Sequence, residues 1–273
     1  IYFNTGDGVD IQPAASSRSN SIVGCRIRRN TGNGILADAV TNLFVNKNTI
    51  WSNGGSGIDV TATPNVNIQS NRIYRNTSQG VWLQGAGTTG GLVYRNLIYG
   101  GNANGVRGWA GADARVINNT IISQVGSGVL AESAGTLVEA TNNILAWNGG
   151  YGLRKNAGGV TVTAGYNDWH GNTTGTNLSL TSSVANITNN PRFLSADPTS
   201  TNFLRLSNSS ACVDSGSTNY DGSPIRLGLH IDMGAFESPY TKGSGASIAV
   251  RKAVSKTYVR PYEFLLYTVT LSN

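Results

Sequence analysis

The sequence predicts an all-β fold built as a solenoid of short parallel rungs, a β-helix, and three observations predict it. The first is a column of residues Cys25, Asn48, Asn71, Asn96, Asn119, Asn143 and Asn167, at intervals of 23, 23, 25, 23, 24 and 24. The second runs in step with it: Gly34-Ile35, Gly57-Ile58, Gly80-Val81, Gly105-Val106, Gly128-Val129 and Gly152-Leu153. A fixed period in the twenties marks stacked repeats, each buried only by its neighbours. The third is the alternation of apolar residues within a repeat, as at Leu43, Val45, Ile50, Ile58 and Val60, which is the two-residue period of strands with one buried face.

Residues 1–188 are read as coils. No stretch carries apolar residues at helical spacing, and Gly, Asn, Ser and Thr fill the joins, so each coil is two or three strands separated by turns. Gly8-Val9-Asp10-Ile11 already matches the glycine beat, so Ile1 falls in mid-rung, as it would in a piece of a longer chain. At the inter-strand spacing of about 4.8 Å, seven coils make a rod of roughly 34 Å. Asn48, Asn71, Asn96, Asn119, Asn143 and Asn167 are expected to sit in left-handed corners and to form a structural ladder of side-chain amides from rung to rung. A second such column lies five residues on, at Asn30, Asn53, Asn76, Gly101, Gln124, Asn148 and Asn172.

These repeats resemble right-handed parallel β-helices of the pectate-lyase-like kind. That group includes polysaccharide lyases, glycoside hydrolases, epimerases, phage tailspikes and non-enzymatic surface proteins. The resemblance implies the handedness and leaves the chemistry open, because one fold hosts many activities.

The rhythm breaks after Asn172. The motifs Asn189-Asn190-Pro191-Arg192-Phe193, Cys212-Val213-Asp214-Ser215-Gly216 and Asp232-Met233-Gly234-Ala235-Phe236-Glu237 resemble the closing segment of secreted bacterial β-helix proteins, assigned here to 189–238. Asp214, Asp232 and Glu237 are read as turn formers that seal the apolar end of the solenoid rather than as an acid/base cluster. Residues 239–273 read as a linker and two strands, resembling the opening of a sandwich-repeat domain of bacterial and archaeal surface proteins. Two strands alone leave bare edges. Tyr262, Phe264, Leu266, Thr268 and Thr270 are therefore candidates for assembly with other copies of the chain, or with a surface-layer or filament partner, by strand addition.

Composition bounds the partners. The 273 residues carry 20 Lys and Arg against 14 Asp and Glu, which leans toward an anionic partner such as an acidic polysaccharide. The Arg residues follow no nucleic-acid reading module, and no apolar run approaches the roughly 20 residues of a membrane-spanning helix. The two cysteines make no disulfide framework. Cys25 on the first clear rung and Cys212 beyond the last should be about 29 Å apart, both free and buried.

Three residues past each pivot lie Arg28, Trp51, Tyr74, Tyr99, Ile122, Ala146 and His170, expected to point outward. Trp51, Tyr74 and Tyr99 then form an aromatic stripe, and with Arg72, Arg75, Arg107 and Trp82 they are candidates for binding a glycan or partner. Asp168 and His170, two apart on one strand face, are the best isolated acid/base pair. No metal-spaced Cys/His set, phosphate cradle or nucleophile elbow is present, which points to no cofactor and no metal. The expectation is an extracellular or cell-surface structural or adhesive protein. The alternative is a polysaccharide lyase or glycoside hydrolase acting on an acidic polysaccharide through Asp168, His170 and an Arg.

Overall fold

The computed structural model describes residues 1–12, 19–217 and 230–241, and two strands at 249–254 and 267–272. Each rung contributes up to three strands. The first rung holds β1 (Val9–Ile11), β2 (Ser19–Val23) and β3 (Arg26–Arg28), and the second β4 (Ile35–Asp38), β5 (Thr41–Asn46) and β6 (Thr49–Trp51). The third and fourth hold β7 (Ile58–Thr61), β8 (Asn67–Gln69) and β9 (Arg72–Tyr74), then β10 (Val81–Gln84), β11 (Gly91–Tyr94) and β12 (Leu97–Tyr99). The fifth and sixth hold β13 (Val106–Trp109), β14 (Asp113–Ile117) and β15 (Thr120–Ile122), then β16 (Val129–Glu132), β17 (Leu137–Thr141) and β18 (Ile144–Ala146). After these come β19 (Tyr151–Lys155), β20 (Thr161–Gly165), β21 (Gly175–Leu178) and β22 (Ser182–Val184).

Every third strand pairs in parallel, giving two eight-stranded sheets that start from β1 and β2 and a six-stranded third sheet from β3 to β18. The chain is a right-handed parallel β-helix. Its core is a set of aligned columns: Ile27, Ile50, Ile73, Ile98, Ile121 and Leu145, two residues past the pivots, are each no more than 1% exposed. The glycine beat reflects a close approach between rungs. A Cβ on Gly80 would lie 2.5 Å from both the Gly105 carbonyl oxygen and Ile98 Cγ2.

The Asn column forms a continuous chain of amides. Nδ2 of Asn48 donates to Oδ1 of Asn71 at 3.0 Å, and the same step recurs through Asn96, Asn119, Asn143 and Asn167. It then continues to Asn186, after a shorter interval of 19. Each Oδ1 also accepts the backbone N–H of the preceding pivot, so a buried donor is satisfied at every corner. The second column behaves alike from Asn30 to Asn76 and from Asn148 to Asn172, whereas Gln124 reaches Asn148 Oδ1 through its backbone N–H and turns its side-chain Nε2 to the Ile122 carbonyl. At Gly101, which lacks a side chain, the backbone N–H donates to Gln124 Oε1.

One expectation needs correcting. The pivots do not occupy left-handed corners; the residue before each does, at Lys47, Ser70, Arg95, Asn118, Asn142 and Tyr166, with φ between 52° and 56°. The left-handed residue turns the chain. The following Asn, back in ordinary geometry, is aimed inward at its neighbours.

The closing segment also differs from expectation. Its described residues lie along the outer face of the third sheet rather than over the end of the rod. Phe203, Leu204, Leu206, Cys212, Val213, Met233 and Ala235 pack on Leu97, Tyr99, Ile122, Ile144 and Ala146. β12, β15 and β18 are therefore buried on both faces. The apolar character of those outward positions requires a cover.

Polar contacts fix that cover. Asn118 Nδ2 donates to the Asp232 carbonyl at 3.0 Å, Gly234 N–H to the Asn142 carbonyl at 2.7 Å, and Arg95 pairs with Glu237 at 3.2 Å. The acids bind backbone within the segment: Asp214 accepts from His230 N–H, and Asp232 from the N–H groups of Asp214 and Ser238. Of the thiols, Cys212 is buried, whereas Cys25, on the first rung with no strand outside it in the third sheet except the bridge at Tyr2, is partly exposed.

The last two strands, β23 (Ala249–Val254) and β24 (Tyr267–Ser272), pair antiparallel in a sheet of their own. Thr268 and Thr270 lie in β24, opposite Ala253 and Arg251. Tyr262, Phe264 and Leu266 lie outside the described residues.

Candidate functional site

A cleft of about 640 Å3 runs between one corner of the solenoid and the closing segment. Its floor is the column four residues past the pivots: Arg75, Gly100, Ser123 and Trp147, on four consecutive rungs. All four have left-handed backbones, φ 54°, 62°, 54° and 53°, so the corner projects their side chains away from the core. Side-chain size makes the hollow. Two small residues lie between a long cation and an indole, over roughly 14 Å at the rung spacing. Tyr99 and Ile122 form the inner wall, and Phe193, Pro198, Phe203 and Leu204 the outer one.

Trp147 is held by its neighbours while 38% of its surface stays open. His170 and Phe193 meet it edge-on, with ring centroids at 5.5 and 5.9 Å. A Cβ on Gly171 would come 2.8 Å from the indole Cδ1, so glycine there makes room for the ring. Among the described residues, Arg75 and Arg192, both exposed, are the only charged groups lining the cleft, and no carboxylate lines it. The described lining therefore combines ring surface with positive charge. It suits a ligand with an apolar face and an anionic group.

The other sequence candidates lie in three places. Trp51, Tyr74 and Tyr99 do stack on adjacent rungs, with centroids 5.7 and 4.9 Å apart and planes within 7°. That stacking turns their faces to one another. Arg28 covers the outer face of Trp51 at 5.2 Å, and Phe203 meets Tyr99 at 5.1 Å. A sugar stacks on ring faces, so the stripe presents mainly edges, and only Tyr99 reaches the cleft. Arg72 is committed as a clamp, donating from Nε to the Tyr99 hydroxyl and from Nη2 to the Pro198 carbonyl, both at 2.8 Å. Burial raises the Tyr99 hydroxyl pKa, with Arg72 opposing the shift.

Trp82 and Arg107 belong to a different sheet, on β10 and β13. There Arg107 lies 4.8 Å from the Trp82 ring and 5.7 Å from that of Trp109, and pairs with Glu132 at 2.6 Å. This cluster is separate from the stripe, and within it Trp82 Nε1 and Arg107 Nε are buried without a hydrogen-bond partner among the described residues. Asp59, on the same sheet, has its pKa raised by burial, against a hydrogen bond from Gln84.

Asp168 and His170 share an outward face but do not pair. Asp168 is wholly buried beneath the closing segment, where Cys212 Sγ donates to its Oδ2 at 3.1 Å and its Oδ1 has no hydrogen-bond partner. His170 Nδ1 instead lies 3.0 Å from the Thr188 carbonyl. Burial pushes the Asp168 carboxyl up to about 7 and the Cys212 thiol well above its ordinary range. With no solvent path to its carboxyl, Asp168 is not placed to act on a polymer. Among the described residues no group of three His, Cys, Asp or Glu side chains is arranged to hold a metal ion.

Sequence reasoning found Arg75 and Tyr99 but missed Trp147, Arg192, Phe193 and Phe203. The alternation of large and small residues along the column Arg75, Gly100, Ser123, Trp147 was the available signal.

Fold and cleft together define a parallel β-helix with a lateral, cationic, aromatic-walled cleft. The family model described as the right handed beta helix region matches residues 1–91, a third of the chain. Among solved structures, the chain is similar to the A-module of the Azotobacter vinelandii mannuronan C-5 epimerase AlgE6, at 20% identity and a TM-score of 0.49, covering 70% of this chain and 56% of that one. It is also similar to a double mutant of the periplasmic alginate epimerase AlgG (15%, TM-score 0.48, 62% and 46%) and to the pectate lyase Pel9A (16%, TM-score 0.44, 78% and 69%). The chain thus spans about half the length of the epimerases it matches. No curated protein matches the sequence.

Proposed function

We propose that this β-helix is an extracellular or cell-surface carbohydrate-binding protein that holds an acidic polysaccharide in the cleft beside the closing segment. The observation that carries the reading is the lining itself: Trp147 supplies an open ring, Arg75 and Arg192 supply charge, and no carboxylate is among the described lining residues. The described lining holds no Asp, Glu, His or Lys, and its phenol, Tyr99, is held by Arg72 at 2.8 Å with its pKa raised by burial, which favours binding over cleavage at this cleft. The surface location rests on the likeness of the closing and tail motifs to those of secreted proteins.

Titration calorimetry with alginate and polygalacturonate fragments tests it. Trp147→Ala is expected to weaken binding about tenfold or more, as for a central aromatic anchor. Arg75→Gln should weaken acidic ligands while sparing their carboxyl-reduced counterparts. Equal affinity for acidic and neutral fragments in the unaltered protein would defeat the proposal.

A second reading, assembly by strand addition, is favoured by the β23–β24 pair, whose outer edges pair with no other described strand. A chain ended after Pro239 should lose any higher-order species seen by light scattering and electron microscopy. Unchanged assemblies would remove this reading and leave the first intact.

A further inference from the structure

The cleft does not end at Arg192. Beyond that residue lies a second hollow of about 340 Å3, lined by Asn189, Asn208, Ser209 and Ser210, and sharing Asn190 and Arg192 with the first. The two compartments differ in chemistry. One is walled by rings and aliphatic chains, the other by amides and hydroxyls. Among the described residues, neither has a carboxylate in its lining.

Arg192 is the partition between them, and its backbone is fixed. Its N–H donates to Asn190 Oδ1 at 2.8 Å, its carbonyl accepts from Ser207 N–H at 3.0 Å, and its φ of 48° is left-handed. A bulky residue held in that conformation without glycine marks a position where the surroundings override local preference. Its guanidinium therefore extends from a set point on the boundary of both hollows.

Sugar rings have apolar C–H faces and hydroxyl rims, and a uronic acid adds a carboxylate that a guanidinium recognises by paired hydrogen bonds. Each hollow exceeds the roughly 300 Å3 at which small-molecule sites begin. We propose that the two compartments are consecutive subsites of one groove for an acidic oligosaccharide. One residue lies against Trp147, another lies among the Asn and Ser side chains, and the carboxylate at their junction is held by Arg192. The proposal rests on the carbohydrate reading above and adds to it a minimum ligand length and a position at which charge is read.

The test is calorimetry of the unaltered chain and its variants with oligomers of galacturonate, mannuronate and guluronate, from the dimer to the hexamer, beside their carboxyl-reduced forms. Affinity should rise about tenfold between the dimer and the longer oligomers. Asn189→Ala with Asn208→Ala, both exposed positions, should bring the longer oligomers down toward the dimer. Arg192→Gln should remove most of the preference for acidic over reduced oligomers, more than Arg75→Gln does, and Arg192→Lys should restore part of it. Thermal melts confirm that each variant is folded. A length increment that survives the double Asn variant overturns the second subsite while leaving the cleft standing. If Trp147→Ala binds the dimer like the unaltered chain, or if no oligomer binds, the carbohydrate reading fails and takes this inference with it.

Discussion

Replacing Asn119 by alanine is expected to destabilise the protein by about 3 kcal/mol, because a fully buried amide with five hydrogen bonds is removed from the middle of the ladder. Its Oδ1 accepts from the backbone N–H of Asn96 at 2.9 Å and from Asn96 Nδ2 at 3.0 Å. Its two Nδ2 hydrogens are shared among three acceptors, the carbonyls of Val93 and Ile117 and Asn143 Oδ1, at 2.8, 3.0 and 3.1 Å. Truncation leaves the Asn96 N–H buried without a partner, which alone costs about 1–3 kcal/mol, and the vacated volume adds to it. Asn102→Ala, at an exposed corner outside both ladders, should change stability by no more than about 0.5 kcal/mol. Urea denaturation compares the two. Because a solenoid rung contacts only its neighbours, faster hydrogen exchange should be concentrated around β11, β12, β14 and β15 rather than spread along the rod. A loss below about 1 kcal/mol, or exchange that rises uniformly, would show that the ladder is ornamental.

The repeat, the strands and the amide columns were legible because in a solenoid each residue's environment is made by residues one period away. Asn48 meets Asn71, and Ile50 packs over Ile73. Periodicity in sequence is thus contact in space. The cover on the third sheet was not legible in the same way, since Phe203 and Met233 meet Tyr99 and Ile144 across more than eighty residues without a repeating register. Its signal was present but indirect: Ile122 and Ala146 fall at outward positions and are apolar.

The cleft depends on that cover, so its outer wall escaped a reading based on columns alone. The aromatic stripe was found as a column, but whether Tyr74 and Tyr99 offer faces or edges is a matter of side-chain rotation, which spacing does not encode. Trp82 was grouped with the wrong sheet because it follows the glycine beat, whose strands form the first sheet, whereas the stripe follows the pivots and belongs to the third.

Asp168→Asn is expected to make the protein more stable above pH 7 and to leave it nearly unchanged below pH 4. Asp168 is buried, its Oδ1 has no partner, and its only hydrogen bond comes from a thiol, a weak donor. Burial outweighs the two influences that favour the charge, the Cys212 hydrogen bond and then His170, and raises the pKa to about 7. The folded chain keeps the proton to about that pH, while the unfolded chain releases it near 4. The folded state thus binds more protons, so stability is greatest below the unfolded value and falls as pH rises through the folded one, by up to about 4 kcal/mol at 1.4 kcal/mol per pH unit. Asparagine, like the protonated acid, carries one donor and one acceptor group and no charge, so it removes that slope. Burial also raises Asp59 and Asp232, which tilt the curve in the same direction in both proteins and cancel in the difference. Denaturation midpoints measured from pH 4 to pH 8 should therefore start together and separate progressively. Parallel curves would mean that Asp168 is ionised in the folded state, with the closing segment supplying a counter-charge or water at the bare Oδ1. Since the Asp168–Cys212 contact lies under the same segment that walls the cleft, the two proteins should also differ in ligand binding at pH 8, where the unaltered chain pays most to keep that segment docked.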